Sequence, residues 1–555
     1  MLADCYARSF DAAAHLAHLF PAMADSSRAA PTVGAWDPLA RPVFRALWIA
    51  ALASSTGTWM QEVGAAWLMT GLSPSPLLVT LIQVGSSLPM FFLAIPSGAL
   101  ADIVDRRRLL LCTQTWMMLA AGVLGGLTLA GAVTPAVLLA ATFALGLGVA
   151  LNGPAWQAIV SELVPRAELP AAVALNSAGF NIARAVGPAA GGLIVGAAGP
   201  GPAFLLNAAS FLGTVFALWG WERRVPASPL PAERLVQAMR GGLRYVRHAP
   251  ELRAVMVRAG GFIMFAIGLL ALLPVIVRVE LGRGPTAYGV LLGALGLGAV
   301  TGATVVGRLR LRISSERLVR SGTLIFAGCC LVVAHGRSFP LLCAAMWLAG
   351  VCWLVLLSSF HVAAQSAVAA WVRARALSVY LLVFSACMAA GSTLWGGLAL
   401  WIGTPWSLSV AAVALAAALP LVGRFPLPVL EGLDLSPTKF TPAPRIDTAP
   451  DTALDRGPVM VTVRYEIAEP DRLAFEAVMR DMERIRRRNG AVGWSLYEDP
   501  RDTRILLEVF LVESWAEHLR QHQRATASDA AVRERARALH RGAEPPRVAH
   551  LLAVE

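Results

Sequence analysis

Long apolar runs separated by short polar loops fill the first three quarters of the chain. Most approach or exceed the ~20 residues that an α-helix needs to cross a bilayer. The pattern predicts twelve spans, with six on either side of a long arginine-rich segment. Their predicted bounds are 43–70, 77–101, 109–131, 136–156, 171–197, 203–221, 255–277, 288–307, 318–334, 340–360, 376–400 and 405–422.

The last hundred residues follow a different pattern. Apolar residues alternate from Val459 to Ile467, which is the period of a strand, and then recur at helical spacing from Phe475 to Ile485. Two more alternating runs, two short helical stretches and a last strand at 548–554 complete the order. This order predicts a soluble α+β domain with a ferredoxin-like fold.

Together these patterns predict the fold class and the domains. The chain is expected to be an all-α membrane protein with twelve transmembrane helices in two six-helix halves, plus a C-terminal α+β ferredoxin-like domain. The predicted parts are a disordered N-terminal extension (1–40), the first half (41–221), a central cytoplasmic loop (222–253), the second half (254–424), a linker rich in proline and threonine (425–457) and the C-terminal domain (458–555).

Composition and charge agree with a membrane protein. The chain is 56% hydrophobic and only 15% charged, and its net charge is +12. The arginines concentrate in alternate loops, so the positive-inside rule explains them and a nucleic-acid partner is not expected. The predicted outer loops contain only three basic residues, which are Arg278, Arg283 and Arg337. We therefore expect a multi-pass protein of a bacterial inner membrane with both termini in the cytoplasm.

The loop between the second and third spans carries a motif. Gly98, Asp102, Arg106 and Arg107 have the spacing of the corresponding loop in the major facilitator superfamily, which the chain resembles here, although Asp105 stands where that family has glycine. An aspartate at a helix end beside guanidinium groups can form a lock that holds one transporter state. The alternative is an arginine cluster that only sets the membrane orientation.

The fifth span ends in a motif of small residues. Gly187, Pro188, Gly191 and Gly192 resemble the end of the motif that marks exporters, the antiporter branch of the superfamily. Glycine and proline let neighbouring backbones approach closely and permit a bend. The residues are predicted to form a pivot on which the two halves rock, with ordinary small-residue packing as the alternative.

Two charges lie inside predicted spans. Arg184 is half-way along the fifth span, and Glu62 is in the first. A charge at this depth is costly and is expected to face the interior with a partner. Glu62 is predicted to exchange protons while Arg184 binds an anionic substrate or tunes Glu62, and Asn181 is assigned to the same pathway. Alternatively, Glu62 lies near the outer surface and Arg184 satisfies backbone carbonyls.

Several stretches resemble one branch of the superfamily. The run from Trp59 to Met69, the Leu88–Pro89 turn and residues 174–184 look like the enterobactin exporters, also described as transmembrane secretion effectors. The resemblance implies export of small molecules of the siderophore or drug class, and uptake stays open. Proton-coupled antiport is our own prediction, because the fourth span lacks the arginine from which many drug antiporters are recognised. No phosphate-binding loop of the ATPase type occurs in the sequence.

The C-terminal domain resembles the small antibiotic-biosynthesis-monooxygenase type, on the residues from Ser514 to His518 together with His522. Such domains either oxidise a substrate or pair into dimers. A membrane-anchored oxidoreductase is therefore the alternative to a transporter, whereas the role that we favour for this domain is formation of a homodimer or regulation. No cofactor or metal is expected, since the two histidines lack further obvious ligands.

Overall fold

The structure is a computed structural model, and it describes residues 34–165, 167–221, 244–427 and 456–553. Most of the predicted N-terminal extension, most of the central loop and nearly all of the linker lie outside these residues. The side chain of Asp102 also lies outside the described part, so the structure does not test its role in the loop motif.

Twelve long helices form the first part of the described chain. They are α1 (Pro42–Leu72), α2 (Pro76–Ile103), α3 (Arg106–Leu129), α4 (Pro135–Leu163), α5 (Leu169–Ala198), α6 (Pro200–Trp219), α7 (Pro250–Val275), α8 (Pro285–Arg312), α9 (Ser315–His335), α10 (Phe339–Ser366), α11 (Arg373–Ile402) and α12 (Thr404–Val422). Nine of them contain the whole apolar run predicted for them, whereas α3, α6 and α7 begin before the predicted run and end two residues short of its last residue.

Eleven helices in the described ranges, α2 to α12, are long and apolar enough to cross a membrane. The prediction of a multi-span helical membrane protein is confirmed. The remaining helix, α1, is 31 residues long, but its middle is polar and includes Gln61 and Glu62. The count of twelve spans therefore stays a prediction.

Helix starts follow local sequence rules. Proline occupies one of the first positions of α1, α2, α4, α5, α6 and α7, where its missing N–H leaves no hydrogen bond unmade. Between α2 and α3 the chain turns in two residues, and Asp105 caps α3 by accepting a hydrogen bond from the backbone N–H of Arg108 (2.9 Å). The turn is therefore shorter than the charged stretch suggested.

The helices run antiparallel in sequence, so the bundle has two ends. We call the end that carries the α2–α3 turn the arginine end, because it also carries Arg106 to Arg108 and the start of α11. Across the bundle, α2 packs along α11 and α5 packs along α8. These two pairs join the first six helices to the second six.

The C-terminal domain contains four antiparallel strands in the order β2-β3-β1-β4. Val461, Val463 and Tyr465 of β1 point to the buried face, where they pack against Phe475 and Met479. The elements are β1 (Val459–Glu466), α13 (Arg472–Asn489), β2 (Ala491–Asp499), β3 (Asp502–Val512), α14 (Trp515–Arg524), α15 (Ala527–Ala538) and β4 (Arg547–Leu552). The predicted α+β order is confirmed.

The C-terminal domain lies against the arginine end of the second half. The guanidinium carbon of Arg524 is 4.4 Å from the ring centroid of Trp371, in the α10–α11 connection. Arg244, which precedes α7, is 3.5 Å from a carboxylate oxygen of Glu517. Arg488 also lies over the ring of Tyr245, at 5.7 Å from its centroid. These contacts link the domain to two connections of the second half.

Candidate functional site

The two charges inside the bundle lie near one another. Glu62 is on α1 and Arg184 is on α5, and the two side chains interact electrostatically. The guanidinium carbon of Arg184 is 5.8 Å from the ring centroid of Trp59, which is one turn from Glu62. A cation over an aromatic face is stabilised by the ring quadrupole. Trp59 therefore holds Arg184 toward α1.

Glu62 is exposed although α1 is packed among other helices. Its second electrostatic neighbour is Tyr288, on α8 of the other half, which is only 4% exposed. Tyr288 in turn stacks on Trp67 of α1, with ring centroids 6.3 Å apart. Glu62 therefore has one electrostatic neighbour in its own half, Arg184, and one in the other half, Tyr288. An exposed carboxyl group with a neighbour in each half can meet both protons and a polar solute.

Asn181 does not join this pair directly. Its side-chain amide donates a hydrogen bond to the carbonyl oxygen of Ser177, one turn earlier on α5, at 2.8 Å. Asn181 therefore lies on the same helix as Arg184, three residues closer to the arginine end, and its predicted role in the pathway stays a prediction.

The small residues of α5 make close contacts with two different helices. A Cβ at Gly187 would lie 2.6 Å from Cβ of Trp59, and a Cβ at Gly191 would lie 2.8 Å from Cα of Met60, both on α1. Pro188 is buried between them. Gly192 faces α8 instead, where a Cβ would lie 2.7 Å from Cα of Gly289.

The contact between α5 and α8 crosses from one half to the other. It extends from Gly296, which lies against the backbone of Ala185, to Gly196, which lies against the side chain of Thr286. These positions run from the middle of the bundle to the end opposite the arginine end. Because a Cβ at Gly192, Gly289 or Gly296 would collide with backbone atoms of the facing helix, this contact depends on glycine.

The α2–α3 turn ties helices of the first half together. Nη1 of Arg106 is 2.7 Å from a carboxylate oxygen of Glu162 on α4. Arg107 donates to the carbonyl oxygens of Leu218 (2.9 Å) and Trp219 (2.6 Å) at the end of α6. A Cβ at Gly98 would meet no atom within 4 Å. The motif arginines thus bind within their own half in this structure.

The opposite end carries a contact that the sequence interpretation missed. The guanidinium carbon of Arg278 is 5.3 Å from the ring centroid of Trp67, and its Nη1 donates to Oγ1 of Thr70 at 3.1 Å. Arg278 follows α7, whereas Trp67 and Thr70 belong to α1. In the sequence, Arg278 is one of three basic residues predicted for the outer loops, and its spacing indicates no partner 208 residues away.

A buried amide pair was also missed. Asn207 on α6 donates a hydrogen bond to Oε1 of Gln61 on α1, at 2.5 Å, and both residues are buried. Buried amides that bond to each other avoid a large desolvation cost. The pair fixes the rotation of α1, and with it the direction of the adjacent Glu62. The sequence indicates this pair only by the presence of one amide residue, Gln61 or Asn207, in each of two apolar runs.

The C-terminal domain contains a cluster of three histidines. Nε2 atoms of His518 and His522 are 3.3 Å apart, and the ring of His550 lies 4.8 Å from that of His518. Burial is the main cause that lowers the pKa of His518 to about 3 and that of His522 to about 4. Both rings are therefore neutral at pH 7, and one donates a hydrogen bond to the other. No group of three or more metal-ligating side chains is arranged for a metal ion among the described residues.

One family model matches most of the chain, and several named transporters are similar to it. Residues 33–555 match the profile of the family described as transmembrane secretion effector. The staphyloferrin A transporter of Staphylococcus aureus is 22% identical over 292 residues, which cover 52% of this chain and 73% of that protein. The multidrug efflux pump Tap of Mycolicibacterium fortuitum is 25% identical over 297 residues, which cover 51% of this chain and 70% of the pump.

Solved structures show the same fold. A bacterial homologue of the human lysosomal transporter Spinster, in an inward-facing and occupied conformation, aligns with a TM-score of 0.57 and 17% identity, over 70% of this chain and 98% of that one. A POT family transporter in complex with 5-aminolevulinic acid aligns with a TM-score of 0.57 and 15% identity, over 69% of this chain and 95% of that one.

Proposed function

Because the chain belongs to the transmembrane secretion effector family of the major facilitator superfamily, we propose that it exports small organic molecules of the siderophore or drug class by alternating access. The family makes the chain a membrane transporter, as predicted, rather than an enzyme. Similarity to a staphyloferrin A transporter and to a multidrug efflux pump supports the substrate class. These relatives give no support to the oxidoreductase alternative.

The placement of Glu62 carries the proposal. It is an exposed carboxyl group on α1 whose electrostatic neighbours are an arginine of its own half and a tyrosine of the other half. When the halves move, its neighbours and its contact with water change. Since neighbouring charge and desolvation both determine where a carboxyl group titrates, such a group can bind a proton in one state and release it in the other.

Arg184 supplies the substrate side of the proposed exchange. Its guanidinium group interacts electrostatically with Glu62 and lies over Trp59, so an anionic group of a substrate can bind it while the aromatic rings contact apolar parts. Protonation of Glu62 removes the competing carboxylate from Arg184. Proton entry and substrate binding at one arginine then become linked, as antiport requires.

The close contacts of α5 support its proposed role as a pivot. Gly187 and Gly191 lie against α1, and Gly192 lies against Gly289 of the other half. A helix that touches both halves through backbone can turn without carrying bulky side chains past each other. The inter-half glycine contacts run from the bundle middle toward the end opposite the arginine end. This placement supports a state that is closed at that end.

The two ends of the bundle have different proposed roles. We assign the arginine end to the cytoplasm of a bacterial inner membrane, because its basic residues follow the positive-inside rule, and we count α1 as the twelfth span. At this end, Gly98, Asp102, Arg106 and Arg107 form the proposed cytoplasmic lock. At the other end, the contact of Arg278 with α1 closes the outer side.

The C-terminal domain is proposed to pair two copies of the chain. One face of its sheet packs on α13 and α14, whereas the other presents apolar side chains that include Leu511 (38% exposed) and Leu551 (50% exposed). Their removal from water would favour association. Mass photometry of the purified protein tests this: Leu511→Glu should convert dimers to monomers, and a wild type that is monomeric throughout would refute pairing.

The transport proposal is tested by efflux from cells and from proteoliposomes. We expect Glu62→Gln and Arg184→Gln to abolish proton-driven efflux of catecholate siderophores or cationic dyes, at unchanged protein level. Glu280→Gln is the matched control, since Glu280 lies in the turn after α7, away from the central pair. A protonophore should stop efflux by the wild type and the control alike. Efflux that survives both central substitutions would refute the assigned site.

A further inference from the structure

A groove opens between α7, α9 and α12 at the arginine end of the second half. Its volume is about 480 Å³. The groove is lined by helices of the second half, whereas Glu62 and Arg184 lie on α1 and α5 of the first half. It is therefore separate from the proposed substrate pathway.

The rim of the groove carries two arginines and one glutamate. Arg258 of α7 is only 4% exposed, and its guanidinium group binds both carboxylate oxygens of Glu316 at 2.7 and 2.8 Å. Its Nε donates to the carbonyl oxygens of Phe425 (2.6 Å) and Val422 (3.2 Å) at the end of α12. Arg258 thus ties three helix ends together and leaves one positive charge on the rim, that of Arg320.

Arg320 is the exposed cation of this site. It lies one turn after Glu316 on α9 and lines the same groove. Within the ranges that the structure describes, no carboxylate pairs with its guanidinium group. Arginine presents a planar fork of donors that matches the oxygens of a phosphate. The rim is therefore suited to a phosphate group that binds Arg320 in front of the Arg258–Glu316 pair.

Below the rim the groove becomes apolar. Phe262, Leu324, Leu415 and Leu419 line it as it continues toward the middle of the bundle. Leu324 is 47% exposed, which indicates that this side of α9 borders the hydrocarbon of the bilayer. A polar rim at a helix end above an apolar channel has the layout of a phospholipid, whose phosphate lies at the interface and whose chains lie deeper.

We propose that this groove binds an anionic phospholipid of the adjacent leaflet, with its phosphate on Arg320 and one acyl chain along the apolar channel. Arg320 lies five residues into α9, so it is about 7.5 Å from the helix start, near the level of the headgroups. Anionic headgroups are attracted to arginines at this level. Because the lipid contacts α7, α9 and α12 together, its binding stabilises the packing of these three helices.

Native mass spectrometry of the purified full chain, titrated with phosphatidylglycerol, tests the proposal. Arg320→Gln should weaken binding of the first lipid by about fivefold, which corresponds to one interfacial arginine. Arg317→Gln is the matched control, because Arg317 is exposed at the same helix end and does not line the groove. The Arg317→Gln protein should bind phosphatidylglycerol with the affinity of the wild type. Equal binding by all three proteins would overturn the proposal.

Two further arms identify the occupant. Ala416→Phe places a ring in the apolar channel, since Ala416 lines it, and should remove the tight lipid while the fold is retained. Glycerol 3-phosphate shares the headgroup chemistry but has no acyl chains, so it should not displace the lipid at equal concentration. Displacement by glycerol 3-phosphate would show a site for free phosphate compounds. Unchanged lipid binding by Ala416→Phe would show that no acyl chain occupies the apolar channel. Either outcome would refute the lipid site.

Discussion

Gly192 allows a stringent test of the contact between the two halves. Replacement by alanine adds one methyl group, whose carbon would lie 2.7 Å from Cα of Gly289, 2.9 Å from the carbonyl oxygen of Pro285 and 3.0 Å from the amide nitrogen of Gly289. Carbon atoms in contact are normally 3.5–4.0 Å apart, about 1 Å more. All three obstacles are backbone atoms, so no side chain can rotate away. The helices must separate.

The magnitude follows from overpacking. An extra methylene in a close-packed contact typically costs about 1–3 kcal/mol. The added methyl group destabilises the state seen in this structure, in which α5 contacts α8. It does not destabilise a state in which the two helices have moved apart. A difference of about 1–3 kcal/mol between two states shifts their ratio by about 5- to 150-fold. Gly192→Ala should therefore favour the state that is open at the end opposite the arginine end.

Double electron–electron resonance measures this shift as the distance between two spin labels, one on α5 and one on α8, at the end opposite the arginine end. Thermal unfolding in detergent measures stability. Gly126→Ala is the matched control, because a Cβ at Gly126 of α3 would meet no atom within 4 Å. Alanine favours a helix over glycine by about 1 kcal/mol, so the control should keep or gain stability. If Gly192→Ala shows the distances and stability of the control, the contact does not limit the movement.

Three further outcomes are expected. Arg278→Gln removes the cation over Trp67, worth about 0.5–1 kcal/mol, so cysteine labelling from the outer side should reach the central space more readily. Trp371→Ala removes the ring under Arg524, so hydrogen exchange should increase in α14 while β3 stays protected. Because the pKa of His518 is depressed from 6.5 to about 3, the unfolded domain binds an additional proton below pH 6.5. His518 alone should then remove about 2 kcal/mol of the stability of the C-terminal domain between pH 7 and pH 5, and His522 should add to this loss in the same direction. His518→Gln should therefore reduce the pH dependence of stability that hydrogen exchange measures.

The helices could be predicted from the sequence because their signal is local. An apolar run as long as the bilayer is thick has few alternatives to a helix, and proline marks the start of many of them. The predicted spans differ from the helices mainly at the ends, where polar residues continue the helix. The run from 136 to 156 is an example. Helix α4 continues beyond it to Leu163, and this extension places Glu162 within reach of Arg106, with which it forms an ion pair.

The candidate site could be predicted only in part. Glu62 and Arg184 were recognisable because charge inside an apolar run demands a partner. Tyr288 could not be recognised, because a neutral tyrosine in an apolar helix needs no charged partner. Its position against Trp67 depends on how the two halves pack. The same holds for Gly289, which appears in the sequence as one of many glycines and gains its role only opposite Gly192.

The position of the C-terminal domain adds a constraint to the transport cycle. It contacts Trp371 between α10 and α11 and Tyr245 before α7, both at the arginine end of the second half. If the halves rock on α5, the domain travels with the second half, and the arginine end opens and closes beside it. A domain fixed to one moving half can favour a transporter state only through contacts that change in the cycle. Binding of a partner, or of a second copy, to its open sheet face is one way in which such contacts would arise.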